Sequence, residues 1–203
     1  MSAAQHVAGV PPISSSAFTS HRYQNTGAAD KNENQDAACV MCERPDAVQT
    51  YVQWGRQTCT NGHRTEYNGL VMADHYTYKK SEYICVDYER AARARSSAGD
   101  QNGALLYTTE MEQGSSDTTQ YPNNREVGCA VCSVIEAQGA VYTRWGSTSC
   151  PVGAAALYTG FMAGEHYEHG GSGANYLCMH PSREDPIGFS DGDQNGALLY
   201  GTE

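Results

Sequence analysis

Eight cysteines in two sets of four are the residues of this chain with the most chemistry in them. Each set opens with a C-x-x-C pair, Cys39 and Cys42 in the first, Cys129 and Cys132 in the second. Two single residues follow the first pair, Cys59 and Cys85, and Cys150 and Cys178 follow the second. An even count at repeated positions fits disulfides formed in an oxidising compartment. Four thiolates per set would also satisfy a structural zinc. The spacing argues against it, because 16 residues part Cys42 from Cys59, 25 part Cys59 from Cys85, and no second close pair occurs. A redox C-x-x-C needs a helix N-terminus to hold its thiolate. Here the inner residues are Val40-Met41 and Ala130-Val131, which favour strands. All eight cysteines are therefore read as structural, with no metal, and Cys59–Cys85 and Cys150–Cys178 are the expected bonds within each repeat.

Two histidine–tyrosine pairs, His75-Tyr76 and His166-Tyr167, each follow an acid, Asp74 or Glu165. The second copy adds His169, where the first has Tyr78. Metal binding and a hydrogen-bonded histidine at a repeat interface both fit this pattern, and the latter is preferred. Trp54 and Trp145 stand in Trp-Gly contexts. They read either as core aromatics or as stacking platforms for a sugar ring, helped by Arg56 or Arg144 as donors. Asp191–Gly196 (DGDQNG) matches the opening of a calcium loop, but Thr202 stands where the bidentate acid belongs. A tight Asn-Gly turn explains the same residues. Nucleophile-elbow, Walker, zincin and dinucleotide-binding motifs are all missing, so the chain is read as a non-enzyme that carries no cofactor. The ligand-binding candidates are Trp54, His75, Tyr76, Arg144, Trp145, His166, Tyr167 and His169.

These residues recur because the chain is a duplication. DQNGALLY occurs at Asp100–Tyr107 and again at Asp193–Tyr200. QWGRQTC (53–59) answers RWGSTSC (144–150), and YNGLVMADHY (67–76) answers YTGFMAGEHY (158–167). The copies are offset by 90 residues at the C-x-x-C pairs, by 91 from tryptophan to histidine, and by 93 from Cys85/Cys178 onward. Residues 1–38 read as a flexible or surface-hugging lead-in, 39–112 as the first repeat, 113–128 as a polar connector and 129–203 as the second repeat. One integrated two-repeat domain is expected.

Within the repeats, 48–54 and 139–145 alternate with Val, Tyr and Trp, which predicts strands. The runs 83–87, 176–179, 104–107 and 197–200 are strand-sized. Asn-Gly turns are expected at 61–62, 68–69, 102–103 and 195–196. Only 89–95 (ERAARAR) suggests a helical turn. The fold class is mostly β: two homologous small β units, related by a pseudo-twofold and stabilised by disulfides.

Fourteen tyrosines against three phenylalanines make the aromatic content amphipathic. A formal charge of −10 disfavours nucleic acid and anionic membrane as partners. No run approaches the roughly 20 apolar residues of a membrane span. The first residues carry neither the basic nor the apolar region of a secretory signal.

The stretches AVYTRWGSTSCP, LYTGFMAGEHYEHGGSGANYLCM and DGDQNGALLYGTE resemble the non-collagenous domain of short-chain collagen-like proteins of sponges, corals and molluscs. CVMC through EYNGLVMADHY, YICVD to NGALLY and CAVC are similar to its other half, so the resemblance covers nearly all of 38–203. It implies a secreted, disulfide-bonded extracellular-matrix or biomineral-associated (skeletal) module, with matrix fibre, mineral or glycan as partner and self-association open to it. It implies no catalytic residues. The alternative is a lectin with one sugar site per repeat. Two features depart from the family: the chain has no Gly-X-Y segment and hence no collagen triple helix, and the halves stand in swapped order. In the family each unit runs from its WG strand through NGALLY to a closing C-x-x-C. The span 51–132 satisfies that order. The expectation for 142–203 is that Cys39–Cys42 packs on it as a strand, within the chain or between the chains of an exchanged dimer, with tandem units each using the preceding C-x-x-C as the alternative.

Overall fold

The computed structural model describes residues 37–90, 104–112, 120–135, 139–186 and 192–202, together with the backbone of 21–24. Ten strands run in chain order: β1 (His21–Gln24), β2 (Gln49–Trp54), β3 (Arg64–Ala73), β4 (Ile84–Asp87), β5 (Ala104–Met111), β6 (Arg125–Glu126), β7 (Gly128–Val134), β8 (Phe161–Gly164), β9 (Leu177–Met179) and β10 (Ala197–Gly201). No helix occurs among the described residues, and none there is long and apolar enough to cross a membrane. Seven strands close a barrel in the order β5-β10-β8-β9-β2-β7-β3 and back to β5. Both repeats contribute strands to this one ring. β1 adds to β5 in parallel, β4 extends the sheet beyond β3, and β6 pairs with the end of β5.

The core is built from alternate residues of these strands. Val71, Ala73, Met111, Val127, Cys129, Ala163, Leu177, Met179 and Leu199 are all essentially fully buried. Tyr121 sits among them, 1% exposed. Its hydroxyl donates to the His180 carbonyl at 2.7 Å, and its ring meets Phe161 edge to face at 5.3 Å. The expected polar connector thus supplies a central core residue, and β6 and the start of β7 lie at its end. The expected lead-in likewise contains β1.

Several strand expectations hold: β2, β4, β5, β9 and β10 fall on the runs named above. Asn61 and Gly62 both have positive φ, 55° and 70°, the backbone an Asn-Gly hairpin turn requires. Asn68-Gly69 is not a turn but the middle of β3, with Asn68 opposite Ala130 and Gly69 opposite Cys129. Glycine is needed there for close approach, since a Cβ on Gly69 would lie 1.8 Å from the Val86 carbonyl oxygen. Residues 139–145 form no strand, and 142–149 are exposed. Asn102-Gly103 and most of 89–95 lie outside the described residues.

The disulfides also differ from expectation. Cys59 is bonded to Cys132, and Cys85 to Cys129. The reason is the insertion of β7 between β2 and β3: Cys132 lies opposite Tyr51 and Thr65, and Cys129 opposite Trp54 and Gly69. The C-x-x-C strand therefore separates the two elements that Cys59–Cys85 was expected to join. Cys39, Cys42, Cys150 and Cys178 are free thiols. Cys39–Cys42 forms no strand on 142–203. Val40 and Met41 are 79% and 97% exposed, and Ala37 and Arg44 rest instead against the first repeat, at Leu70/Met72/Leu106 and at Glu66.

Candidate functional site

The two histidine–tyrosine motifs fold into the same turn at the ends of β3 and β8. In each, the acid caps the turn, Asp74 accepting from the His75 amide and Glu165 from the His166 amide, both at 2.9 Å. Tyr78 N–H donates to the His75 carbonyl at 2.9 Å, as His169 N–H does to the His166 carbonyl at 3.0 Å. Each imidazole Nδ1 accepts a backbone N–H two residues on, from Thr77 at 3.2 Å and from Glu168 at 3.3 Å. That contact assigns the proton of each neutral ring to Nε2. Burial holds the His75 pKa below its ordinary value, with Asp74 opposing the effect.

Aromatic rings surround both turns. His75 packs with Tyr76, Tyr78 and Tyr107, and His166 with Tyr167, His169 and Tyr200, all at centroid distances of 4.6–5.2 Å. The two groups touch where Tyr76 meets His169 at 4.9 Å. His169 is fixed by Glu165, whose Oε1 lies 2.7 Å from its Nδ1. The glycine-rich segment of the second repeat seals the junction. Gly171 N–H donates to the Tyr76 carbonyl at 2.8 Å, and a Cβ on Gly171 would fall 1.8 Å from the His75 carbonyl oxygen. Tyr167 and Tyr78 stand at the rim, 84% and 50% exposed.

Five of the sequence candidates, His75, Tyr76, His166, Tyr167 and His169, thus share one ledge. The other three do not join it. Trp54 packs against the core. Trp145 is 49% exposed beside Arg144, which donates to the Ser149 carbonyl at 2.8 Å. Among the described residues no hydrogen bond or ring contact links Trp54, Arg144 or Trp145 to the ledge. Tyr78, Tyr107 and Tyr200 are ledge residues that the sequence reading missed. The last two end the repeated NGALLY strands, and that repetition was the signal available.

A second polar cluster lies at the other candidate motif. Buried Glu110 accepts from the Gln194 and Asn195 amides at 3.2 and 3.1 Å, which fixes the 192–196 loop. Glu110, Glu112 and Asp193 bring carboxylates close enough to hold a cation. Burial, helped by Glu126 and Glu112 and opposed by the two amides, pushes the Glu110 pKa up to about 7. Compared with family models, curated proteins and solved structures, the chain matches none.

Proposed function

We propose that the protein is a non-enzymatic, secreted module of an extracellular or skeletal matrix, and that the histidine–tyrosine ledge is its contact surface for matrix fibre or mineral-bound polymer. The observation that carries this reading is the exposure of Tyr78 and Tyr167 on the two turns that meet at the Tyr76–His169 contact. Amphipathic rings presented at low conformational cost suit adhesion. Both His75 and His166 spend Nδ1 on a backbone amide and keep their proton on Nε2, so neither neutral ring offers a free base for catalysis. The disulfides tying β7 to the segment after β2 and to β4 suit an oxidising compartment. The charge of −10 favours cation-rich mineral surfaces or basic polymers over nucleic acid.

The two repeats are proposed to be related by a pseudo-twofold axis. Matched registers support it: Val71 opposite Cys85 and Met162 opposite Cys178, Ala73 opposite Tyr107 and Gly164 opposite Tyr200. One ledge half per repeat is also what favours the second reading, a lectin with paired sugar sites. Binding to isolated skeletal matrix and to a glycan array separates the two. The matrix reading expects saturable matrix binding that falls at least tenfold, a loss of about 1.4 kcal/mol, in the Tyr78→Ala/Tyr167→Ala double variant, with a silent array. Defined sugars bound through the same residues would replace it with the lectin reading.

A further inference from the structure

The four free thiols are the repeat counterparts of the four that are bonded. Cys150 corresponds to Cys59, Cys178 to Cys85, Cys39 to Cys129 and Cys42 to Cys132. The surroundings correspond too. Tyr67 donates to the Cys85 carbonyl at 3.0 Å and Tyr158 to the Cys178 carbonyl at 2.8 Å. A Cβ on Gly69 would press on the Val86 carbonyl at 1.8 Å, and one on Gly160 on the Met179 carbonyl at 2.0 Å. Cys178 is therefore held as Cys85 is, and only the partner strand differs.

The N-terminal backbone points to that strand. β1 runs parallel to β5 with His21 opposite Ala104, and β5 runs parallel to β10 with Thr109 opposite Ala197. Ala104 and Ala197 open the two copies of the ALLY strand, so His21 stands against the first copy as Thr109 stands against the second. Thr109 leads to Cys129 in 20 residues, and His21 to Cys39 in 18. β1 thus repeats the placement of the end of β5, from which the chain leads on to β7.

We propose that Cys39 bonds to Cys178 and Cys42 to Cys150 within one chain, with residues 38–44 inserted as a strand between 142–145 and 155–160. The register copied from β7 sets Cys42 opposite Tyr142, and Cys39 opposite Trp145 and Gly160. Val40 and Met41, solvent-exposed in the reduced arrangement, then take the places of fully buried Ala130 and half-buried Val131. The contacts to be given up are weak: Arg44 and Asp46 make exposed ion pairs with Glu66 and Arg64, which water screens. The reach is short. Gln49 exchanges side-chain hydrogen bonds with both backbone groups of Val141 at 2.8 and 2.6 Å, next to Tyr142. Cys42 is seven residues from Gln49, a tether of up to about 23 Å. Each new bond removes two protons and two electrons from a thiol pair. A low-molecular-weight disulfide such as oxidised glutathione accepts them by thiol–disulfide exchange and leaves as two thiols.

The experiment is non-reducing peptide mapping of the full chain, with thiol alkylation before and after incubation with oxidised glutathione. Alkylatable thiols are expected to fall from four to none, with Cys39–Cys178 and Cys42–Cys150 peptides in a monomeric protein. In Cys39→Ser, only Cys178 is expected to stay alkylatable, while intact Cys59–Cys132 and Cys85–Cys129 peptides report that the variant has folded. Cys39–Cys42 or Cys150–Cys178 peptides, four persistently free thiols, or the same bonds in a covalent dimer would each overturn the proposal.

Discussion

Residues 51–65 and 142–156 descend from one sequence and differ in what covers them. In the first, Trp54, Gly55 and Gln57 are buried or half-buried, Cys59 is bonded, and 51–54 form a strand paired to β7. In the second, Tyr142 and Trp145 are 58% and 49% exposed, Val152 is fully exposed, Cys150 is free and no strand forms. Beyond this point the repeats converge again, at the histidine–tyrosine turns and the NGALLY strands. The alternating pattern 142–145 is thus insufficient for a strand; it needs a neighbour to supply backbone partners. β7 plays that part for the first repeat, and Glu184 reinforces it by accepting from the Gln57 and Thr58 amides at 2.8 and 3.0 Å and pairing with Arg56.

The largest expected effect comes from undoing the bracing of the first repeat. The double variant Cys85→Ser/Cys129→Ser removes the bond across 44 residues without leaving a free thiol. Chain-entropy reasoning puts the loss at about 4 kcal/mol. Thermal denaturation checks it, and an unchanged melting temperature would mean that the bond does not brace the fold.

Paired glycine substitutions come next. Gly55 and Gly146 are repeat counterparts with positive φ, 86° and 73°, but a Cβ on Gly55 would meet the Tyr121 hydroxyl at 2.0 Å while one on Gly146 meets nothing within 4 Å. Gly146→Ala carries only the left-handed backbone cost, about 1 kcal/mol. Gly55→Ala adds displacement of a buried tyrosine and is expected to cost about 3 kcal/mol. Equal losses in chemical denaturation would erase the packing difference between the two regions.

What the sequence made legible was the repeat, the β class, most short strands and the five residues that share the ledge. The rest was hidden for identifiable reasons. Asn68-Gly69 carries a turn signal, yet glycine serves there to let β4 approach β3. Tyr121 lies in a polar stretch, and nothing local marks it as core; it is buried because Gly55 leaves room for its hydroxyl. The disulfides eluded sequence reasoning because pairing depends on which strand lies between Cys59 and Cys85, a property of topology rather than of spacing.

A smaller effect tests the acidic corner formed by Glu110, Glu112 and Asp193. The folded-state pKa of Glu110 is raised from 4.5 to about 7. Its contribution is therefore complete below the unfolded value, near pH 4.5, and is lost as pH rises through 7. The expected loss is on the order of 2 kcal/mol across that window, and Glu110→Gln flattens it in stability measured against pH. The smallest effect expected is none: millimolar calcium leaves the melting temperature unchanged, because Glu110 already serves the loop amides and Thr202 replaces the bidentate acid. A rise of several degrees would assign a cation to Glu110, Glu112 and Asp193 by mass-action linkage.

The first repeat is completed by the C-x-x-C strand that follows it in the chain, Cys129–Cys132, not by the one that precedes it, Cys39–Cys42. Proteolysis of the native protein under non-reducing, acidic conditions, followed by mass spectrometry of the linked peptides, tests this most directly. The expected bonds in the first repeat are Cys59–Cys132 and Cys85–Cys129; bonds from Cys59 or Cys85 to Cys39 or Cys42, or a Cys59–Cys85 bond, would contradict it.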